Sequence, residues 1–244
     1  MTKNTNELLP FQSRILYQSE ACVVINKRIG EAVEGAQKNM INLKANLAAY
    51  IKTELIEAVN RLDVPVTGCA LFALTKPSLS FLGSAFSESL SVKKIYWAIV
   101  EKSSSAAKQP ESGELVHWIE TGSAVNKSFA HNECGMDSGS RERKKAILRY
   151  RITGEGKNYL FTEIELISGR HHQIRAQFAA IGLHIKGDLK YGAKRSEKDG
   201  GIRLHARFLA FPNPVNENDL ISVTADPPAM DNLWQAFTVN HLSP

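Results

Sequence analysis

The chain has 244 residues, 43% of them hydrophobic, enough to bury a sizeable core as one large domain or two small ones. It opens on a polar stretch, MTKNTNELLPFQ, and holds no apolar run near the roughly 20 residues that span a bilayer, which argues against secretion or membrane insertion and predicts a soluble, cytoplasmic protein. Net charge is +5 but uneven: residues 141–207 carry 16 Lys and Arg against 7 Asp and Glu, a basic surface that suits a polyphosphate partner and equally a plain solvated face.

In chain order, Ile15-Leu16-Tyr17 and Ala21–Ile25 predict two short strands before a Lys27-Arg28-Ile29-Gly30 turn. Leu43, Leu47, Tyr50, Ile51 and Leu55 recur at helical spacing and predict one amphipathic helix leading into the Asn60 segment. Ala70–Leu74 reads as a buried strand. Pro77 suits a first helical turn, and Leu79, Leu82, Phe86 and Leu90 continue it as a second helix. Lys94–Glu101, KIYWAIVE, is rich in aromatic and β-branched residues and predicts a strand with Tyr96, Ala98 and Val100 on one face and Ile95, Trp97 and Ile99 on the other.

The polar stretches 103–113 and 131–145 read as loops. Leu148, Tyr150 and Ile152 alternate with Arg149 and Arg151, and Leu160, Thr162, Ile164 and Leu166 alternate with Glu163 and Glu165, as in neighbouring antiparallel strands. After Ser168-Gly169-Arg170, the positions Ile174, Phe178 and Ile181 mark a helix that stops at Gly182. With no regular alternation of strand and helix, the expected fold is α+β on a mixed, largely antiparallel sheet. Cys22, Cys69 and Cys134 are far apart with no CxxC pair, and the histidines have no acidic or cysteine partner at ligand spacing, so neither disulfide nor metal is expected.

An aspartate beside an arginine, as in Asn60-Arg61-Leu62-Asp63, is a weak signal alone. The chain also holds ILYQSEACVVINKRIG at 15–30, NRLDVPVTG at 60–68, KIYWAIV at 94–100, SGRHHQIR at 168–175, KGDLKYG at 186–192 and RLHARFLAF at 203–211. In this order the set resembles the RluA branch of pseudouridine synthases over most of the chain. The resemblance implies a catalytic domain over 15–244 behind an extension of residues 1–14, with no separate N-terminal RNA-binding domain. It also implies a monomer that needs no cofactor and acts on ribosomal or transfer RNA.

The resemblance makes Asp63 the catalytic aspartate, which attacks the anomeric carbon or takes a sugar proton as the uridine is rejoined to its ribose through carbon. Arg175 is placed beside it, because a guanidinium favours the ionised form of a carboxylate in a partly dry pocket. Tyr96 lies against the base and offers a stacking face and a titratable hydroxyl. Arg61 would fill the gap left by an extruded nucleotide, and Leu204 would line the base pocket. Lys27 and Arg170 join the expected substrate-binding set. Arg141, Arg143, Lys144, Lys145, Lys186, Lys190, Lys194 and Arg195 are candidates for phosphate contacts.

The family pattern is altered near the aspartate, where Asn60 stands for histidine and Val66-Thr67 for Thr-Ser. Arg28 replaces a proline and His171 a threonine. Asn60 can still hydrogen-bond, whereas Val66 lacks a hydroxyl, so the loop around Asp63 needs different support. Two other readings are a noncatalytic RNA-binding protein on the same fold and a glycosidase or nucleosidase. The latter calls for a second positioned carboxylate, and no Asp or Glu near Asp63 or the HHQIR segment clearly fills that role in the sequence.

Overall fold

Alternation along one central strand sets the layers of the fold. In a computed structural model, which describes residues 11–35, 40–88, 91–102, 110–122, 126–134, 142–227 and 231–242, Tyr96, Ala98 and Val100 enter one hydrophobic core. Trp97 and Ile99 enter another on the opposite face.

The strands begin with β1 (Ile15–Gln18) and β2 (Cys22–Lys27), an antiparallel pair, and with β3 (Glu31–Ala32) and β4 (Ile41–Asn42), a short parallel pair. Helix α1 (Leu43–Ile51) follows, its first turn capped by Asn42 Oδ1 accepting from the Ala45 N–H at 3.0 Å. The helix ends earlier than its apolar spacing predicts. Lys52 is left-handed at φ 59°, Thr53 N–H bonds back to Ala48 O, and Leu55 falls beyond the end. Next come β5 (Glu57–Ala58), β6 (Thr67–Ala73) and α2 (Lys76–Glu88). Pro77 is the second residue of α2, Thr75 and Ser78 cap its start reciprocally, and Leu90 lies outside the described residues.

The central strand is β7 (Lys93–Glu101). It is followed by β8 (Ser112–Gly122) and β9 (Lys127–His131), an antiparallel hairpin to which the sequence reading assigned no strand. Then come β10 (Lys144–Glu155) and β11 (Tyr159–Leu166), paired antiparallel as their alternation predicts. Lys144 and Lys145 are therefore strand residues rather than loop residues, because they pair with Ile119 and Trp118 of β8. Helix α3 (Gln173–Ala180) stops at the left-handed Gly182, φ 75°. The chain closes with β12 (His184–Ile185), β13 (Leu204–Pro212), β14 (Leu220–Thr224) and α4 (Asn232–Leu242).

Among the described residues, twelve strands form one sheet in the order β1-β2-β6-β13-β7-β11-β10-β8-β9, with β5 beside β6, β12 beside β7 and β14 beside β13. Within it β6 and β13 run parallel and the other pairs antiparallel. Leu43 and Leu47 of α1 and Ile174 and Phe178 of α3 pack on the Tyr96 face, while Leu82 of α2 and Trp234 and Phe237 of α4 pack on the other. This is the α+β architecture expected, and it sets the start of α3 against the loop between β5 and β6. No helix among the described residues is long and apolar enough to cross a membrane.

Candidate active site

Asp63 sits in the loop between β5 and β6, half-buried, next to the buried Leu62. The loop is held from beneath. Lys27, wholly buried at the end of β2, donates from Nζ to the carbonyl oxygens of Val66 at 2.6 Å, Arg28 at 3.0 Å and Val64 at 3.1 Å. Burial pushes its amine down to about 7, against the raising influence of the Glu31 and Asp63 carboxylates. Lys27 thus supports the loop instead of meeting substrate, since its side chain has no exposed surface and all three N–H groups are taken. Asn60 fastens the other end of the loop: its Nδ2 donates to Cys69 O at 3.1 Å and its Oδ1 accepts from the Leu71 N–H at 2.7 Å. The Val66 N–H donates to Asp63 O at 3.0 Å and closes a turn without a hydroxyl.

The start of α3 faces this loop. Gln173 braces the strand-to-helix junction, its Oε1 accepting from the Arg170 N–H and the Ser168 hydroxyl, its Nε2 donating to Ile147 O. Two residues on, in the first turn of α3, Arg175 places Nη1 2.8 Å from Asp63 Oδ2, while Nε and Nη2 grip Asp188 at 2.6 and 2.8 Å. Burial opposes the charge on Arg175, but the hydrogen bonds and charge of Asp188 and the nearby Asp63 more than offset it and hold the guanidinium above its ordinary value. Asp188 is a carboxylate that sequence reasoning left without a role, although it stands inside the KGDLKYG segment. It is almost fully buried with both oxygens bound, so it orients Arg175 and is not a second reacting carboxylate.

Tyr96 and Leu204 lie in the same core cluster as Leu62 and Ile174, on adjacent strands β7 and β13. Burial, together with the charge of Asp63, pushes the Tyr96 hydroxyl well above its usual range and keeps it protonated. Arg61 is exposed and lines a cleft of about 390 Å³ with Arg170, His171, Lys144 and Glu142. Arg170 donates from Nε to Lys145 O at 3.1 Å, which fixes it at the rim.

The basic candidates sort by partner. Arg143 pairs with Glu120 at 3.5 Å with little of its side chain exposed, and Lys186 shares Glu197 with Arg203, so both are tied into the protein rather than free for phosphate. Lys144, Lys145, Lys190, Lys194 and Arg195 are exposed, and Arg141 lies outside the described residues. His205, within a motif, is structural: fully buried, it bonds Thr67 Oγ1 at 2.8 Å and Ala225 O at 2.9 Å. Among the described residues no group of three His, Cys, Asp or Glu side chains is placed to hold a metal.

An RNA pseudouridylate synthase family model matches residues 21–180. The ribosomal large subunit pseudouridine synthase C of Vibrio parahaemolyticus is 26% identical over 220 residues, 87% of this chain and 65% of that protein. An uncharacterized RNA pseudouridine synthase of Zymomonas mobilis is 28% identical over 228 residues, 92% of this chain and 95% of that protein. Human RNA pseudouridylate synthase domain containing 4 has the same fold, with a TM-score of 0.72 at 23% identity over 95% of this chain and 94% of that one. The chain belongs to the RNA pseudouridylate synthase family, a family of enzymes. Within that family it is of the RluA type.

Proposed function

We propose that this protein converts a uridine of ribosomal RNA to pseudouridine, with Asp63 as the catalytic carboxylate. The single observation that carries the reading is the Arg175–Asp63 ion pair, 2.8 Å long and facing a loop held by buried groups, beside a cleft lined by Arg61, Arg170 and Lys144. The name of the Vibrio relative, a ribosomal large subunit enzyme, supports ribosomal RNA as the substrate.

The reaction breaks the bond between N1 of uracil and C1′ of ribose, turns the base, forms a bond from C5 to C1′, and moves the C5 proton away while N1 gains one. No atom is gained or lost overall, so neither redox partner nor energy source is required. The target must first leave its stack, which costs a few kcal/mol. Arg61, exposed at the cleft, suits the vacated place because a guanidinium both stacks on bases and bonds phosphate. Asp63, held by Arg175 at 2.8 Å, acts on the sugar by attack at C1′ or by removal of a sugar proton. Tyr96, protonated and in the same core cluster as Leu204, offers a stacking face for the base, and the proton leaving C5 is balanced by the one gained at N1.

The test is a map of pseudouridines in total RNA from wild-type cells, deletion cells and cells carrying only Asp63→Asn. A site should vanish in both mutant backgrounds. If none vanishes on deletion the proposed activity is wrong, and if a site lost on deletion persists with Asp63→Asn only the role of Asp63 is wrong.

A further inference from the structure

His172 sits at the start of α3 in the left-handed region, φ 52°, a backbone conformation that costs a β-carbon-bearing residue on the order of 1 kcal/mol. Its side chain does not cap the helix. It instead ends a line of hydrogen bonds and presents its far ring nitrogen to Asp63. The backbone N–H of Ser128, on β9, donates to Tyr191 Oη at 2.8 Å. The buried Tyr191 hydroxyl still has its own proton to place, and His172 Nδ1, 2.9 Å away, is the acceptor assigned to it. The opposite ring nitrogen, Nε2, stands 3.4 Å from Asp63 Oδ2.

Burial is the main force on this imidazole and pushes it down to about 4, outweighing the raising effect of Asp63, with Arg175, His171 and Lys190 adding to the depression. A neutral imidazole whose Nδ1 accepts must carry its proton on Nε2, so the group facing Asp63 is a donor. Two further contacts hold the arrangement. The His171 ring stacks on His172 at 3.9 Å and is itself bonded from Nδ1 to Ser128 Oγ at 2.9 Å, and the Arg175 guanidinium lies over the Tyr191 ring at 4.8 Å.

We propose that His172 is a positioning residue for Asp63: a neutral Nε2–H donor, its tautomer set by Tyr191 and Ser128, that with Arg175 fixes Oδ2 and leaves Oδ1 to the substrate. Arg175 Nη1 and His172 Nε2 both approach Oδ2, at 2.8 and 3.4 Å, and a second donor there restricts a carboxylate that Arg175 alone would leave free to turn about the Nη1 contact. At 3.4 Å the contact is longer than a formed hydrogen bond, as catalytic contacts often are before substrate binds. The line begins at Ser128 on β9, which pairs with Thr121 of β8, and Ile119 and Thr121 border the cleft, so the hairpin beside the cleft is connected through Tyr191 and His172 to the neighbourhood of Asp63.

This inference rests on Asp63 being the catalytic carboxylate, and the test separates the two. Long-range 15N spectra of the full chain at pH 7 should show His172 neutral with its proton on Nε2, and Tyr191→Phe should produce a mixture of tautomers. Single-turnover pseudouridine formation, measured on total RNA from the deletion strain, should fall about tenfold in Tyr191→Phe and His172→Leu with unchanged RNA Kd, the loss expected from one misplaced donor. His172→Gln, whose amide reaches to the same place, should recover most of that loss. A charged imidazole or an Nδ1–H tautomer in the wild-type protein overturns the proposal, as does a loss in His172→Leu that lies wholly in Kd. Full activity of Asp63→Asn would instead remove the catalytic assignment, while the 15N spectra still report on the hydrogen-bonded line.

Discussion

Gly68 passes so close to Ala206 that a Cβ on it would lie 2.2 Å from the Ala206 carbonyl oxygen, and its φ of 110° is open only to glycine. The approach marks the parallel joint between β6 and β13, where His205 and Ala206 pair with Thr67 and Gly68. The joint ties the strand leaving the Asp63 loop to the strand that carries Leu204.

Gly68→Ala should therefore destabilise the fold by roughly 3 kcal/mol or more, through backbone strain and collision combined. Urea denaturation would read this as a lower midpoint at unchanged slope. A change below about 1 kcal/mol would mean that the two strands separate easily.

His205 gives the stability a defined pH dependence. Burial pushes it down to about 4, so the native state keeps it neutral while the unfolded chain takes up a proton near 6.5. Its contribution is fully present above pH 6.5 and is lost as the pH falls toward 4, up to about 3 kcal/mol. His205→Gln should lessen the fall of the stability curve between those pH values and leave the share of His172, which burial depresses to the same range, as followed by urea midpoints at several pH values.

Arg175 joins two carboxylates with different needs. Arg175→Gln leaves the Asp188 carboxylate buried without a counter-charge and should cost about 3–5 kcal/mol of stability. Adding Asp188→Asn should recover part of that stability and none of the activity, because Asp63 still lacks its partner. Parallel denaturation and single-turnover assays measure the two effects separately, and recovery of activity in the double variant would show that Arg175 acts only on folding.

Exposure divides the cations into two sets with different signatures. Replacing Lys144, Lys145 and Lys190 with alanine should lower the slope of log affinity for RNA against log salt by roughly 2, if each contacts one phosphate. Arg143→Ala and Lys186→Ala should leave that slope almost unchanged and lower stability instead, since their partners are Glu120 and Glu197. Filter binding over a range of salt concentrations distinguishes the sets.

Much of the local order that rests on periodicity was legible. The faces of β7, the pairing of β10 with β11, and α3 ending at Gly182 all follow from alternation or helical spacing in the residues themselves. The β8–β9 hairpin was not legible, because as the edge of the sheet it has a less regular apolar pattern, and its place is set by pairing with β10. Helix α1 was read one turn too long because a left-handed lysine, not a glycine, ends it.

The sequence by itself determined the family that the chain resembles and singled out Asp63, Tyr96 and Arg175 as candidates, since motif order survives without coordinates. Only the tertiary structure decided what each charged group faces. Lys27 turned inward to three carbonyls, Arg143 and Lys186 found carboxylates, and Asp188, Tyr191 and His172 gathered behind Asp63. The physical reason is that a charge is assigned its role by desolvation and by partners far along the chain: Arg175 meets Asp63 across a sequence separation of 112 residues, a contact that only the folded sheet can make.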